Sequence, residues 1–184
     1  MKKEKNVQPI RSLKDIQKMK DSLFRYCSYR DYFLFIFGIN TGLRISDILP
    51  LKVRDVKNKT QIQIQEKKTM KFRTIYFNEY LQEEIDKYTV FMKPEELLFP
   101  SRKGNNHISP TQAYRTLLKA AEIVGIKHTG TRSLRKTYGY HHYKKHKNID
   151  FLQEFFSHPS PNITKKYIGI RQEETANKLN YLNL

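Results

Sequence analysis

The sequence predicts a mixed α/β fold that is predominantly α-helical and contains one small antiparallel β-sheet. Apolar residues recur at helical spacing behind residues that commonly cap helices, such as Ser12 and Ser109. Gln61–Gln65 and Arg73–Phe77 instead alternate with a period of two, and the lysine-rich residues between them indicate a β-hairpin. The chain has 184 residues, which is enough for one domain with a buried core.

The helix signals follow one another along most of the chain. A capping-type start at Ser12–Asp15 opens the first predicted helix. Asp31–Asn40 is apolar on nearly every side, which predicts a central buried helix, and Thr41–Gly42 ends it. The remaining predicted helices run from Asn78 to about Met92, from Ser109–Pro110 to Val124, and over Thr131–His146, Ile149–Phe156, Pro161–Tyr167 and Gln172–Leu182.

Positive charge is concentrated in one part of the chain. The formal net charge is +17, and the stretch from Leu97 to Ile149 holds eleven lysines or arginines and one acid, Glu122. A polyanion is therefore the expected partner, with nucleic acid first. Charge alone leaves RNA, ribosomes, acidic lipid or a merely solvated basic face as alternatives.

Cysteine usage and hydropathy favour a soluble cytoplasmic protein. Cys27 is the single cysteine, so the sequence predicts neither a disulfide framework nor a cysteine zinc site. The N-terminus lacks a signal-like apolar segment, and the most apolar stretch, Tyr32–Ile39, is about half as long as a membrane-spanning helix. We expect no membrane association.

Four short motifs stand out, in the order Thr41–Asp47, the turn containing Lys68, Arg132–Thr137, and Ser157–His158 with Tyr167 nine residues after the histidine. In their order, spacing and flanking residues they resemble the catalytic domain of the tyrosine recombinase (phage integrase) family. The resemblance extends from about residue 8 to the end of the chain.

The resemblance implies cleavage of DNA by the hydroxyl of Tyr167, which gives a 3′-phosphotyrosyl link and a free 5′-hydroxyl, without metal or other cofactor. Arg44 and Arg135 match the two arginines that clamp the phosphate. Guanidinium groups suit this role because they are flat, permanently charged, bidentate donors. The alternative is that Arg44 pairs with Asp47 at a helix start and that Arg135 lies on a solvated helix.

Three further matches complete the implied site. Lys68 matches the hairpin lysine that protonates the departing 5′-oxygen, with Lys71 as the second choice. His158 matches a histidine that donates to a non-bridging oxygen, and Asp47 matches the acid that orients the site. Ordinary structural roles remain open for each: a solvent-facing turn lysine, a histidine at a helix end before Pro159, and a helix-start acid.

The sequence departs from the family pattern at Arg132. Three residues before Arg135 the family typically has histidine or lysine. A guanidinium stabilises charge but cannot serve as a general base at neutral pH. We considered, in this order, that Arg132 supplies the electrostatic part of the role with reduced activity, that His128 substitutes, or that the protein binds without cleaving.

We expect residues 1–184 to form a single catalytic domain, with residues 1–10 as a lead-in and no separate N-terminal core-binding domain. Residues 171–184 resemble the terminal segment that packs on a neighbouring protomer, although packing within the same protomer is an equal alternative. The implied partners are double-stranded DNA and further copies of the chain in a homotetramer, which places the protein at the nucleoid. His142 and His146 share a helix face, but without a carboxylate or cysteine partner they predict no metal site.

The functional prediction is a site-specific recombinase or integrase of mobile elements that acts on DNA as a stand-alone catalytic domain. Two alternatives stay open at this point. One is a cleavage-impaired protein that binds DNA, for which Arg132 is the reason. The other is a topoisomerase-like enzyme that uses the same covalent chemistry to relax supercoils.

Overall fold

The structure, a computed structural model, describes residues 7–65, 70, 72–171, 173 and 174. These residues form helices and one two-stranded sheet, and most helices begin at a serine or asparagine whose side chain caps the first turn. The elements are α1 (Leu13–Tyr26), α2 (Tyr29–Thr41), α3 (Ile45–Ile48), α4 (Val53–Val56), β1 (Gln61–Gln65), β2 (Phe72–Tyr76), α5 (Glu79–Thr89), α6 (Pro110–Ile123), α7 (Thr131–His146), α8 (Ile149–Phe156) and α9 (Pro161–Tyr167).

Helix α2 is the centre of the hydrophobic core. It packs against α7, α1, α5 and α6, so apolar residues are needed on almost every side of it. Phe33, Phe35 and Phe37 are fully buried there. The helix ends at Gly42, whose φ of 63° is left-handed and where an added Cβ would collide with the ring of Tyr138 on α7. This close approach brings the end of α2 next to α7.

Strands β1 and β2 form an antiparallel hairpin, with Gln61 paired to Tyr76 at its open end and Gln65 paired to Phe72 at the end where the chain passes from one strand to the other. Ile62 and Ile75 face each other across the two strands and are buried, while their neighbours along each strand are more exposed. This alternation matches the period-two pattern of the sequence. One face of the hairpin therefore rests on the core and the other faces solvent.

The segment that precedes α1 lies along α7. The hydroxyl of Ser133 donates to the carbonyl oxygen of Gln8 at 2.8 Å, and the backbone N–H of Ile10 donates to the hydroxyl of Thr137 at 2.9 Å. These contacts link residues more than 120 positions apart in sequence. Helix α7 is thus held between α2 and this segment.

The predicted fold class is confirmed, with differences at helix ends. Helix α2 begins at Tyr29 rather than Asp31 because Ser28 caps it. Helix α5 ends at Thr89, three residues before Met92. The four-residue helices α3 and α4 were not predicted, because a single turn shows no periodicity. The predicted helix Gln172–Leu182 lies, apart from residues 173 and 174, outside the described residues.

Candidate active site

Arg135 is the most enclosed of the predicted site residues. It lies in the second turn of α7, is 5% exposed, and donates from Nη1 to the carbonyl oxygen of Gly42 at 2.5 Å. Its Nη2 lies 3.4 Å from the carbonyl oxygen of Phe155, and its Cζ is 4.6 Å from the ring centre of Phe156. Backbone carbonyls and aromatic rings together fix the guanidinium plane.

Tyr167 is the last residue of α9 and is half-buried. Burial raises the pKa of its hydroxyl above the ordinary value of 10.0, and the charges of Arg135, Arg132 and Arg44 oppose that rise. Interaction with the side chain of Arg135 lowers this pKa further. The three arginines that the sequence singled out therefore act on one oxygen atom, the predicted nucleophile.

His158 lies beside Tyr167 in the turn between α8 and α9. The two ring centres are 4.9 Å apart, at an interplanar angle of 73°. The Nδ1 atom of His158 is 3.1 Å from the hydroxyl of Thr164, which also donates to the carbonyl oxygen of Ser160 at 3.3 Å. When that hydroxyl gives its single proton to the Ser160 carbonyl, it can only accept from Nδ1–H of the histidine.

Arg44 and Asp47 are placed by the short helix α3, which follows Gly42 directly. Arg44 is the residue before the helix, and its carbonyl oxygen accepts the backbone N–H of Asp47 at 2.9 Å. Asp47 is only 6% exposed. The left-handed turn at Gly42 thus sets the direction of this part of the chain. The charge of Arg44 lowers the pKa of the Tyr167 hydroxyl.

Arg132 and His128 are both exposed near the start of α7. The charge of Arg132 acts on Tyr167. His128 has a left-handed φ of 58°, and its carbonyl oxygen accepts the backbone N–H of Gln8 at 2.9 Å. That His128 takes the role of the usual base stays a prediction. The charge of Arg132, by contrast, lowers the pKa of the predicted nucleophile.

The predicted hairpin lysines cannot be placed. Lys68 and Lys71 lie outside the described residues, between the paired ends of β1 and β2. The choice between them as general acid stays a prediction from sequence.

Three residues near Tyr167 were missed by sequence reasoning. The ring of Phe156 lies 5.2 Å from that of Tyr167 and under Arg135. The Nζ atom of Lys136 lies 5.3 Å from the Tyr167 ring centre and donates to a backbone carbonyl at 2.6 Å. A Cβ added to Gly139 would lie 2.7 Å from Phe156, so only glycine allows α8 to approach α7 this closely. The sequence signals that could have found them were the aromatic pair before Ser157–His158 and the position of Lys136 within the Arg132–Thr137 motif.

The histidines of α7 pack against neighbours. His141 Nε2 lies 3.0 Å from the carbonyl oxygen of Ile10, and the ring of His142 stacks on Phe151 with centres 4.7 Å apart. A neighbouring residue therefore covers part of each of these two rings, which are half-buried. Within the described residues no three His, Cys, Asp or Glu side chains come together as metal ligands, and no helix there is long and apolar enough to cross a membrane.

Comparison with known proteins gives matches over most of the chain. The family model described as the phage integrase family matches residues 12–174. The probable integrase/recombinase YoeC of Bacillus subtilis (strain 168) is 52% identical over 169 residues, which cover 92% of this chain and 93% of that protein.

Solved recombinases share the fold. A crystal structure of XerA recombinase superposes with a TM-score of 0.72 at 19% identity, over 92% of this chain and 64% of that one. XerH site-specific recombinase, bound to palindromic difH substrate in a post-cleavage complex, superposes with a TM-score of 0.70 at 22% identity, over 94% of this chain and 53% of that one. The chain therefore spans about half to two thirds of these two proteins.

Proposed function

Because the chain belongs to the phage integrase family, we propose that it is a site-specific DNA recombinase that cleaves and rejoins strands through a 3′-phosphotyrosyl intermediate. One observation carries the proposal: the ring of Tyr167 lies 4.9 Å from the ring of His158 and 5.2 Å from that of Phe156, which also contacts the guanidinium of Arg135. The charges of Arg135, Arg132 and Arg44 also lower the pKa of the Tyr167 hydroxyl. Positive charge around one phenol suits a nucleophile that attacks a phosphodiester.

In the proposed reaction the Tyr167 oxygen attacks phosphorus in line with the departing 5′-oxygen. The bond from the tyrosine oxygen to phosphorus forms while the bond from phosphorus to the 5′-oxygen breaks. Lys68, or Lys71, gives a proton to the leaving oxygen, and the phenol proton passes to water. Arg44 and Arg135 donate to the non-bridging oxygens, on which charge accumulates.

His158 completes the proposed phosphate site. Its Nδ1–H is committed to Thr164, so its Nε2 is the atom that faces the phosphate, and it donates there when the ring is protonated. Arg132 takes the place of the base. Its guanidinium keeps its charge, so it stabilises the pentacoordinate phosphorus rather than accepting the phenol proton.

The proposed partner is double-stranded DNA. The XerH relative was solved with its DNA substrate, and the basic stretch from Leu97 to Ile149 supplies complementary charge here. We propose further that the chain acts as one catalytic domain within a homotetramer. Within residues 171–184, Glu173 and Glu174 contact Tyr140 and Lys165 of the same chain, so the proposed exchange with a neighbouring protomer concerns the residues that follow them. A binder without cleavage is the second candidate, and Arg132 is the observation that favours it.

The test is the formation of a covalent protein–DNA adduct on duplexes that carry a nick. Cleavage near the nick releases a short fragment. Because the fragment is lost, the strand cannot be rejoined and the adduct is trapped. We expect a protein–DNA adduct from a pool of random sequences, joined through Tyr167. Tyr167→Phe should form none, because it keeps the ring but has no nucleophilic oxygen. Tyr26→Phe, which removes an exposed hydroxyl at the end of α1, is the matched control and should react normally.

The same mixture separates the two candidates. Sequencing the trapped DNA defines the cleavage site. Retention of particular duplexes by folded wild-type protein, with no adduct in any of them, would establish the binder instead.

A further inference from the structure

Arg73 lies on β2, yet its side chain contacts the C-terminal end of α8. Its Nη2 donates to the hydroxyl of Ser157 at 3.3 Å and lies 3.5 Å from the carbonyl oxygen of Glu154. Its Cζ is 4.8 Å from the ring centre of Phe155. One side chain of the hairpin therefore reaches the residue that directly precedes His158.

The ring of Phe155 also contacts Arg135. The Cζ of Arg135 is 5.5 Å from the ring centre, and its Nη2 is directed to the carbonyl oxygen of the same phenylalanine. Burial raises the pKa of the neighbouring Tyr138, and the charges of both Arg135 and Arg73 oppose this rise. Two cations thus contact one aromatic ring, whose quadrupole attracts both of them. The position of the ring therefore depends on both side chains.

Ser157 is the second point of contact with the active site. Its φ of 55° and ψ of 47° are left-handed, a conformation that is unfavourable for a residue with a Cβ. The turn is closed by the N–H of Ser157 on the Glu154 carbonyl and by the N–H of His158 on the Gln153 carbonyl, each at 2.9 Å. The hydrogen bond from Arg73 adds a side-chain restraint to this turn.

We propose that Arg73 is a positioning residue for the phosphate site, because it fixes Phe155 against Arg135 and holds the Ser157 turn that presents His158. The inference rests on the proposed function, which assigns Arg135 and His158 to the non-bridging oxygens. Arg73 acts through these neighbours. Its removal should therefore weaken stabilisation of phosphate charge and leave protonation of the departing oxygen unaffected.

Three substrates separate these two effects in single-turnover cleavage by Arg73→Met, each built on the site that the adduct assay defines. The first is the ordinary phosphodiester. The second has a bridging 5′-sulfur, whose thiolate departs without a proton. The third is a methylphosphonate, in which a methyl group replaces one charged non-bridging oxygen, so cleavage depends less on cationic donors.

We expect Arg73→Met to slow cleavage of the phosphodiester by about 10- to 100-fold, somewhat less than the loss of a direct donor. The defect should persist with the bridging sulfur and should shrink to about threefold or less with the methylphosphonate. Relief by the bridging sulfur would mean that Arg73 serves leaving-group protonation, and an equal defect on all three substrates would mean a general structural role. Either result overturns the proposal.

Two further variants serve as controls for effects on folding or on net charge. Arg54→Met removes a cation whose Nη1 pairs with Glu95 at 2.8 Å on an exposed surface, and it should cleave all three substrates at the wild-type rate. Ser157→Gly tolerates the left-handed backbone while losing the hydroxyl. Its defect should combine with that of Arg73→Met less than additively, and strict additivity would contradict the shared contact.

Amide hydrogen exchange tests the contact without DNA. In Arg73→Met the amides of Ser157 and His158 should exchange about tenfold faster, as loss of one ordinary hydrogen bond implies, while the amides of α2 should not change. If wild-type protein forms no adduct, the proposed function fails, and this measurement alone decides whether Arg73 positions the turn. Unchanged exchange at both amides would refute the positioning role.

Discussion

The two sides of the candidate site are built differently. On the side of α7 and α9, Arg135 is buried, bonded to backbone carbonyls and in contact with aromatic rings. On the side of the hairpin, Arg73 is half-buried and reaches α8 across a partly exposed surface. Several buried contacts therefore hold Arg135 in place, whereas the contacts of Arg73 with α8 depend on that one side chain. The difference predicts unequal sensitivity to mutation.

Arg135→Lys should have the largest effect, because it breaks the buried side while keeping its charge. A lysine cannot reproduce the bidentate geometry of a guanidinium, whose two nitrogens here lie against the carbonyl oxygens of Gly42 and Phe155. We expect the rate of adduct formation to fall by about 10²- to 10³-fold. The free energy of unfolding should fall by about 2 kcal/mol, as measured by urea denaturation.

Arg30→Lys is the matched control for this change. Arg30 also donates to a backbone carbonyl, that of Pro100 at 2.8 Å, and pairs with Asp31. Its replacement should reduce stability, and the folded protein should cleave DNA at the wild-type rate. Comparable slowing of cleavage by Arg30→Lys would show that the Arg135 effect is global.

Gly139→Ala should have an intermediate effect, because it moves Tyr167 without altering any charge. The new Cβ would lie 2.7 Å from the Phe156 ring and from the Cγ2 of Ile168, the residue after the nucleophile. Overpacking of this kind costs about 1–3 kcal/mol of stability. Because small displacements of a reacting group are costly, we expect adduct formation to slow by about tenfold.

Gly38→Ala gives the comparison for Gly139→Ala. Its Cβ would lie equally close, at 2.7 Å, to the side chain of Leu134 between α2 and α7. Both variants should lower the midpoint of thermal unfolding, but only Gly139→Ala should slow cleavage per folded molecule. Equal slowing in the two would argue against a specific role for the contact between α7 and α8.

The sequence alone could predict those residues of the candidate site that lie within short local motifs. Arg44, Arg135, His158 and Tyr167 were predicted from motifs that resemble the family. The structure places His158 beside Tyr167 and Arg135 over the neighbouring ring of Phe156, and the catalytic roles of these residues stay predictions. Arg73 and Phe155 could not be found in this way, because their contact joins residues that are 82 positions apart and neither belongs to a motif. Helices with strong caps and periodicity were predicted well, whereas single-turn helices depend on tertiary packing and were not.

Lys136→Met should have the smallest effect. It tests whether an additional positive charge on the buried side lowers the free energy of unfolding. Burial lowers the pKa of Lys136 below its ordinary value of 10.5, and Arg132 and Arg11 lower it further. The folded protein therefore holds this proton less tightly than the unfolded chain does. Stability conferred at this position should rise with pH between the lowered value and 10.5, because the unfolded state binds more protons in that window.

The free energy of unfolding of wild-type protein minus that of Lys136→Met should accordingly be larger at pH 10 than at pH 7, as measured by urea denaturation. Lys145→Met removes an exposed charge from the same helix and supplies the baseline. Cleavage should slow by about threefold at most, the value of one cation over the Tyr167 ring. If this difference in the free energy of unfolding were the same at both pH values, Lys136 would be no harder to protonate in the folded protein than in the unfolded chain. The surroundings of Tyr167 would then be less strongly cationic than Arg132, Arg135 and Lys136 together imply.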